Sequence, residues 1–87
     1  MDWNKIRQQF PNKWLLVEAI NAISKNGKRI LDQLSVINTY VDSVDAMKYY
    51  QQLHHDEPHR ELFVLHTNRE KLDISERHWL GIRGVTN

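Results

Sequence analysis

Ser24-Lys25-Asn26-Gly27-Lys28-Arg29 lies between two apolar-rich runs that together span Lys13 to Asp42, and its reading decides the fold. Asn-Gly is a strong hairpin signal because both residues tolerate the positive φ angles of a type I′ turn. Placing the turn there sets Ile23 against Ile30, Ala19 against Leu34 and Val17 against Val36, a mostly apolar face interrupted by Asn21 opposite Asp32. The other face pairs Ser24 with Arg29, Ala22 with Leu31, Ile20 with Gln33, Glu18 with Ser35, Leu16 with Ile37 and Trp14 with Thr39. Both faces therefore carry large apolar side chains.

A helical reading of Trp14 to Ser24 stays open, since Leu16, Ile20 and Ile23 also sit at helical spacing and Leu, Glu and Ala favour helices. The strand reading is favoured by its partner run, where Ile30, Val36, Ile37, Thr39, Tyr40 and Val41 supply β-branched and aromatic residues.

Upstream, Trp3, Ile6 and Phe10 form a helical stripe with Asp2 as N-cap, and Pro11 stops the helix near Phe10. Downstream, Asp42 or Ser43 caps a second helix whose Ala46, Tyr49, Tyr50 and Leu53 share a face, with Met47 at its edge. That helix ends between His54 and Glu57, before Pro58. Glu61 to Thr67 reads as a short strand, covered or central because Leu62 and Val64 face one way and Phe63 and Leu65 the other. Thr67-Asn68-Arg69-Glu70 has the form of a capping box, which predicts a helical turn. His78 to Gly84 offers Trp79, Leu80 and Ile82 as a last strand or docked segment, with bends at Gly81 and Gly84. The fold class expected is α+β: a small single domain over residues 1–87, with an antiparallel β-hairpin, a helix and a third strand (a ββαβ core), plus a short N-terminal helix and a C-terminal segment.

The chain also resembles a family of small bacterial proteins of uncharacterised activity. The likeness rests on Pro11-Asn12-Lys13-Trp14, Glu18-Ala19-Ile20, Ser35-Val36-Ile37, Arg60-Glu61-Leu62 ahead of Thr67, and Trp79-Leu80-Gly81-Ile82-Arg83-Gly84. The resemblance implies the ββαβ arrangement and brings no functional residues with it.

Composition narrows the function classes. Lys plus Arg number 12 against 11 Asp plus Glu, so no bulk field points to nucleic acid or anionic lipid. Cysteine is absent, which removes disulfides, thiolate metal sites and a Cys nucleophile. The N-terminus has no apolar leader, and no run approaches the roughly 20 apolar residues that span a bilayer, so a cytoplasmic protein away from membranes is expected.

His54-His55-Asp56-Glu57-Pro58-His59 is the richest set of potential ligands. A dedicated metal site is not expected there, because Pro58 breaks the i, i+4 spacing of His55 and His59, and a solvated helix end accounts for the same residues. Ser75-Glu76-Arg77-His78 and His66 beside Thr67 hold pieces of an acid–base system, yet nothing in the sequence assembles them with an oxyanion-stabilising loop, and nucleotide-binding and hydrolase motifs are missing. No catalytic residue, cofactor or small-molecule ligand is therefore assigned. Glu18, between Leu16 and Ile20, is a costly buried carboxylate unless an arginine such as Arg83 or Arg60 pairs with it or that face is wet, and a structural ion pair is favoured over a general base.

Two surfaces remain. Trp14, Leu16, Ile20, Leu31 and Ile37 need a second cover beyond one helix layer, supplied by a terminal segment or by another chain, which points to a non-enzymatic protein-interaction module and most simply a homodimer. Lys25, Lys28 and Arg29 form a basic hairpin tip, the basis of the alternative reading as a small nucleic-acid-associated regulator. Arg77, Trp79 and Arg83 interleave cation and aromatic in a way that same reading would use.

Overall fold

A computed structural model describes residues 1–72, 74 and 75. In chain order the elements are α1 (Trp3–Gln9), β1 (Trp14–Lys25), β2 (Lys28–Tyr40), α2 (Ser43–Asp56), β3 (Leu62–His66) and β4 (Ile74–Ser75). The α+β architecture and the ββαβ core match the expectation, and β1 runs unbroken through the stretch for which a helix had been open.

The turn residues account for the hairpin. Asn26 and Gly27 have φ of 52° and 74°, both left-handed, and Lys25 pairs with Lys28 across a two-residue loop. The strand order is β3-β1-β2-β4, with every neighbouring pair antiparallel. β2 and β3 consequently run parallel to each other on either side of β1, so α2 is a crossover connection that passes over the face of β1. Both helices start on aspartate caps: Asp2 Oδ1 accepts from the Lys5 N–H and Asp42 Oδ1 from the Asp45 N–H, each at 2.9 Å.

α1 and α2 cover opposite faces. Trp3 and Ile6 of α1 pack on Leu15, Val17, Leu34, Phe63, Leu65 and Ile74, with Phe10, Ala19, Leu31, Val36 and Leu72 at the margin. Tyr50 of α2 packs on Leu16 and Leu62, with Met47, Leu53, Tyr40 and Val64 around it. The α2 stripe is rotated from the expected one: Met47 lies inside it, whereas Tyr49 is outside, more than half exposed, and stacks on Tyr40 with ring centroids 5.4 Å apart. β3 is buried on both faces as expected, but it is an edge strand rather than a central one.

The hairpin register departs from a straight ladder at three places. Pairing passes from Leu16–Asn38 to Val17–Val36, leaving Ile37 over, then skips Ile20 between Ala19–Leu34 and Asn21–Gln33, and skips Asp32 before Ala22–Leu31. Trp14 thus faces Tyr40 rather than Thr39, Leu16 faces Asn38 rather than Ile37, and Gln33 faces Asn21 rather than Ile20. Asn21 and Asp32 still meet, through a 3.3 Å side-chain hydrogen bond. Each skipped residue flips the strand's alternation, and this has a consequence for the core. Leu31, not Ile30, joins the α1-side cluster, so the cross-strand pair Ile23–Ile30 falls on the other face beyond the reach of α2.

Thr67 does not cap a helix. A turn follows, closed by a 3.1 Å bond from the Arg69 N–H to the His66 carbonyl. The Thr67 hydroxyl is engaged elsewhere: it accepts from the Lys13 N–H at 2.9 Å, while the Thr67 N–H donates to the Lys13 carbonyl at 3.0 Å. Arg7 Nε donates to the Thr67 carbonyl at 2.8 Å, and Trp3 Nε1 to the Arg69 carbonyl at 2.8 Å. Thr67 is buried, and this set of bonds ties α1, the start of β1 and the end of β3 together. The segment from His78 to Gly84 lies outside the described residues.

Candidate interaction surface

The residues expected to share one uncovered apolar face are separated by the fold. Leu16 is 1% exposed beneath Tyr50 and is closed to any partner. Leu31 lies half-buried on the opposite, α1-covered side. Trp14 is half-buried with its ring edge-on to His66, centroids 4.9 Å apart at 82°. Ile20 and Ile37 remain accessible at 64% and 37% exposure. Ile23 and Ile30, which the straight-ladder reading had placed on the covered face, are exposed instead.

Besides the exposed Met1, Val41 and Val44, two accessible apolar regions are found among the described residues. The first is a groove of about 280 Å³ between α2 and the end of β2, with Leu16 at its floor and Ile37, Tyr40, Tyr49 and Leu53 on its walls. Asn38, Gln52 and Asp56 supply its polar margin. Burial and the neighbouring Tyr49 raise the Tyr40 hydroxyl above the ordinary tyrosine range. Beside this groove, no described strand pairs with the outer edge of β2 over Ser35 to Tyr40, where the Thr39 N–H donates to Asn38 Oδ1 at 2.8 Å. β4 pairs only with Lys28 and Arg29, and Met1 exchanges two 2.9 Å bonds with Leu34. The second region is the distal hairpin face of Ile20, Ile23 and Ile30.

Among the described residues, Arg29 and Arg60 are held in pairs with carboxylates. Glu18 meets Arg60 as expected, in a two-point contact at 2.7 and 3.1 Å, with Glu57 on the same guanidinium at 3.2 Å. The guanidinium holds the Glu18 carboxyl below the usual carboxylate range, and the carboxylates raise Arg60 further above its already high value. Such an ion pair holds a structural carboxylate rather than a general base. Arg29 is pinned in the same way, by two 2.7 Å bonds to Glu61 and one of 2.9 Å to Ser24. It therefore does not project with Lys25 and Lys28, which are exposed at the tip.

The described histidines form no ligand cluster. His54 stacks on Tyr50 with centroids 5.7 Å apart, and His55 Nδ1 lies 3.4 Å from Asp56. Among the described residues no group of three or more His, Asp or Glu converges. His66 Nδ1 accepts from the Asn68 N–H at 3.1 Å, so it is not aimed at the Thr67 hydroxyl. His78, Arg77, Trp79 and Arg83 are outside the described residues, as is Glu76.

Thr67 and Arg7 were the residues that sequence patterning missed as structural ties, because their partners lie more than fifty positions away. No helix among the described residues is long and apolar enough to cross a membrane. Comparisons with protein-family models, curated proteins and solved structures returned no match.

Proposed function

We propose that this chain is a non-enzymatic interaction module of a bacterial cytosol that self-associates, most simply as a twofold dimer, through the outer edge of β2 and the groove beside it. The observation that carries the reading is that no described strand pairs with the β2 edge over Ser35 to Tyr40, which runs alongside an apolar groove. An unpaired edge presents N–H and C=O groups that another strand can complete, and an antiparallel edge is complementary to its own copy about a twofold axis. Ile37, Tyr40 and Tyr49 would add apolar contact beside that seam, and a net charge of +1 offers little repulsion between copies. The nucleic-acid reading is weaker, since Arg29 is held by Glu61 and leaves Lys25 and Lys28 at the tip.

Light scattering on the purified chain tests the proposal. A dimer is expected at micromolar concentration, Ile37→Lys should convert it to folded monomer, and Lys28→Glu should leave it dimeric. A monomeric mass at high micromolar concentration would remove the self-association reading.

A further inference from the structure

The distal isoleucine face has no cover among the described elements. α2 sits over the opposite end of β1, where it buries Leu16, and the Glu18–Arg60 pair marks the border of that zone. Beyond it Ile20, Ile23 and Ile30 are 64%, 56% and 43% exposed, on a face made apolar by the two skipped residues that turned Ile23 and Ile30 away from α1. Together they expose the equivalent of roughly one and a half isoleucines, a patch on the order of 300 Å². A stable dimer interface needs about 800 Å² from each partner. A single tryptophan buries about 150–250 Å². The patch thus suits a short apolar segment better than a second copy.

We propose that this face is the docking site of the chain's own segment Trp79-Leu80-Gly81-Ile82. The register shows where that segment starts. β4 pairs Ile74 with Arg29 and Ser75 with Lys28, so the chain passes Ser75 at the tip end of β2, two positions along the strand from Ile30. Twelve residues follow Ser75 in the sequence. The four steps to Trp79 reach at most about 14 Å, whereas crossing from the edge to the Ile23–Ile30 pair takes one or two strand spacings of about 4.8 Å. Glu76 is next in the sequence after Ser75, and its charge is complementary to Lys25 and Lys28, which are exposed at the tip that Ser75 reaches. The groove beside α2 lies at the other end of β2 and is a separate surface, so this docking does not depend on self-association.

The test uses the whole chain. In the unsubstituted protein, nuclear Overhauser contacts should join the Trp79 indole to the methyl groups of Ile23 and Ile30, and should persist in the Ile37→Lys variant whatever its oligomeric state. Because the chain has no cysteine, Ile23→Cys with Leu80→Cys should lose both free thiols within the monomer band on mild oxidation. Lys48→Cys with Leu80→Cys, placed on exposed α2, should keep them. Absence of the indole contacts in the folded chain overturns the proposal, and so does a disulfide-linked dimer through Ile23→Cys alone, which would assign the face to a second copy.

Discussion

Tyr49 and Tyr50 are adjacent on α2 and looked equivalent in the helical stripe, yet they should differ sharply on truncation. Tyr50 is 2% exposed and is the side chain through which α2 grips Leu16 and Leu62. Removing a buried aromatic ring leaves a cavity the sheet cannot refill, at a cost of about 3–5 kcal/mol. A domain of 87 residues has a total stability of about 4–13 kcal/mol, so Tyr50→Ala should bring the protein close to unfolding. Tyr49 is 52% exposed, and its truncation forfeits mainly the stack on Tyr40, which is worth about 1 kcal/mol. Urea unfolding followed by circular dichroism measures both. With a slope of about 1 kcal/mol per molar urea, Tyr50→Ala should lower the midpoint by roughly 3–5 M and Tyr49→Ala by about 1 M. Equal shifts, or a Tyr50→Ala cost below about 1.5 kcal/mol, would mean that α2 is not anchored as described.

Gly27→Ala meets no atom within 4 Å but must hold φ at 74°, so it should cost about 1–2 kcal/mol through backbone strain alone; an unchanged melting curve would argue against the type I′ turn. Thr67→Val keeps the volume and deletes the acceptor of the Lys13 N–H, a loss of about 1–3 kcal/mol in urea unfolding, whereas a Thr67→Ser variant should retain most of the stability. The Glu18 carboxyl, held low by Arg60, binds a proton less readily when folded than when unfolded. Its stabilising share is therefore in place above the ordinary glutamate value of about 4.3 and is lost as pH falls through the lower folded value. Acid unfolding of Glu18→Gln should lack that component, and a curve parallel to the parent would sink this assignment. Zinc should leave the melting temperature unchanged, since His54 and His55 are engaged with Tyr50 and Asp56; a rise abolished by His59→Ala would show a site that the described geometry lacks.

Local signals in the sequence determined the elements from α1 to β3, whereas the short β4 at Ile74–Ser75 was not legible. Asn26-Gly27 set the hairpin, Asp2 and Asp42 the helix starts, Pro11 and Pro58 their ends, and the i, i+3, i+7 spacing put Trp3 and Ile6 into the core. Glu18 beside Arg60 was also legible, because a carboxylate between Leu16 and Ile20 needs a cation. These signals act within a few residues, or within one ladder, and so leave a pattern in the order of side chains. The tertiary structure alone decided the skipped residues at Ile20, Asp32 and Ile37. An extra residue is placed by the packing of two helices on a twisted sheet rather than by its own type, and its effect is to send Leu31 inward and Ile30 outward. For the same reason Thr67 looked like a helix cap until Lys13 arrived to take its hydroxyl, and Tyr49 looked like core until α2 settled across β1 on Tyr50. The uncovered surface followed those choices: Leu16 disappeared beneath α2, Leu31 moved to the α1 side, and Ile23 and Ile30 came out, because burial depends on what crosses a face and alternation states only which side chains share one.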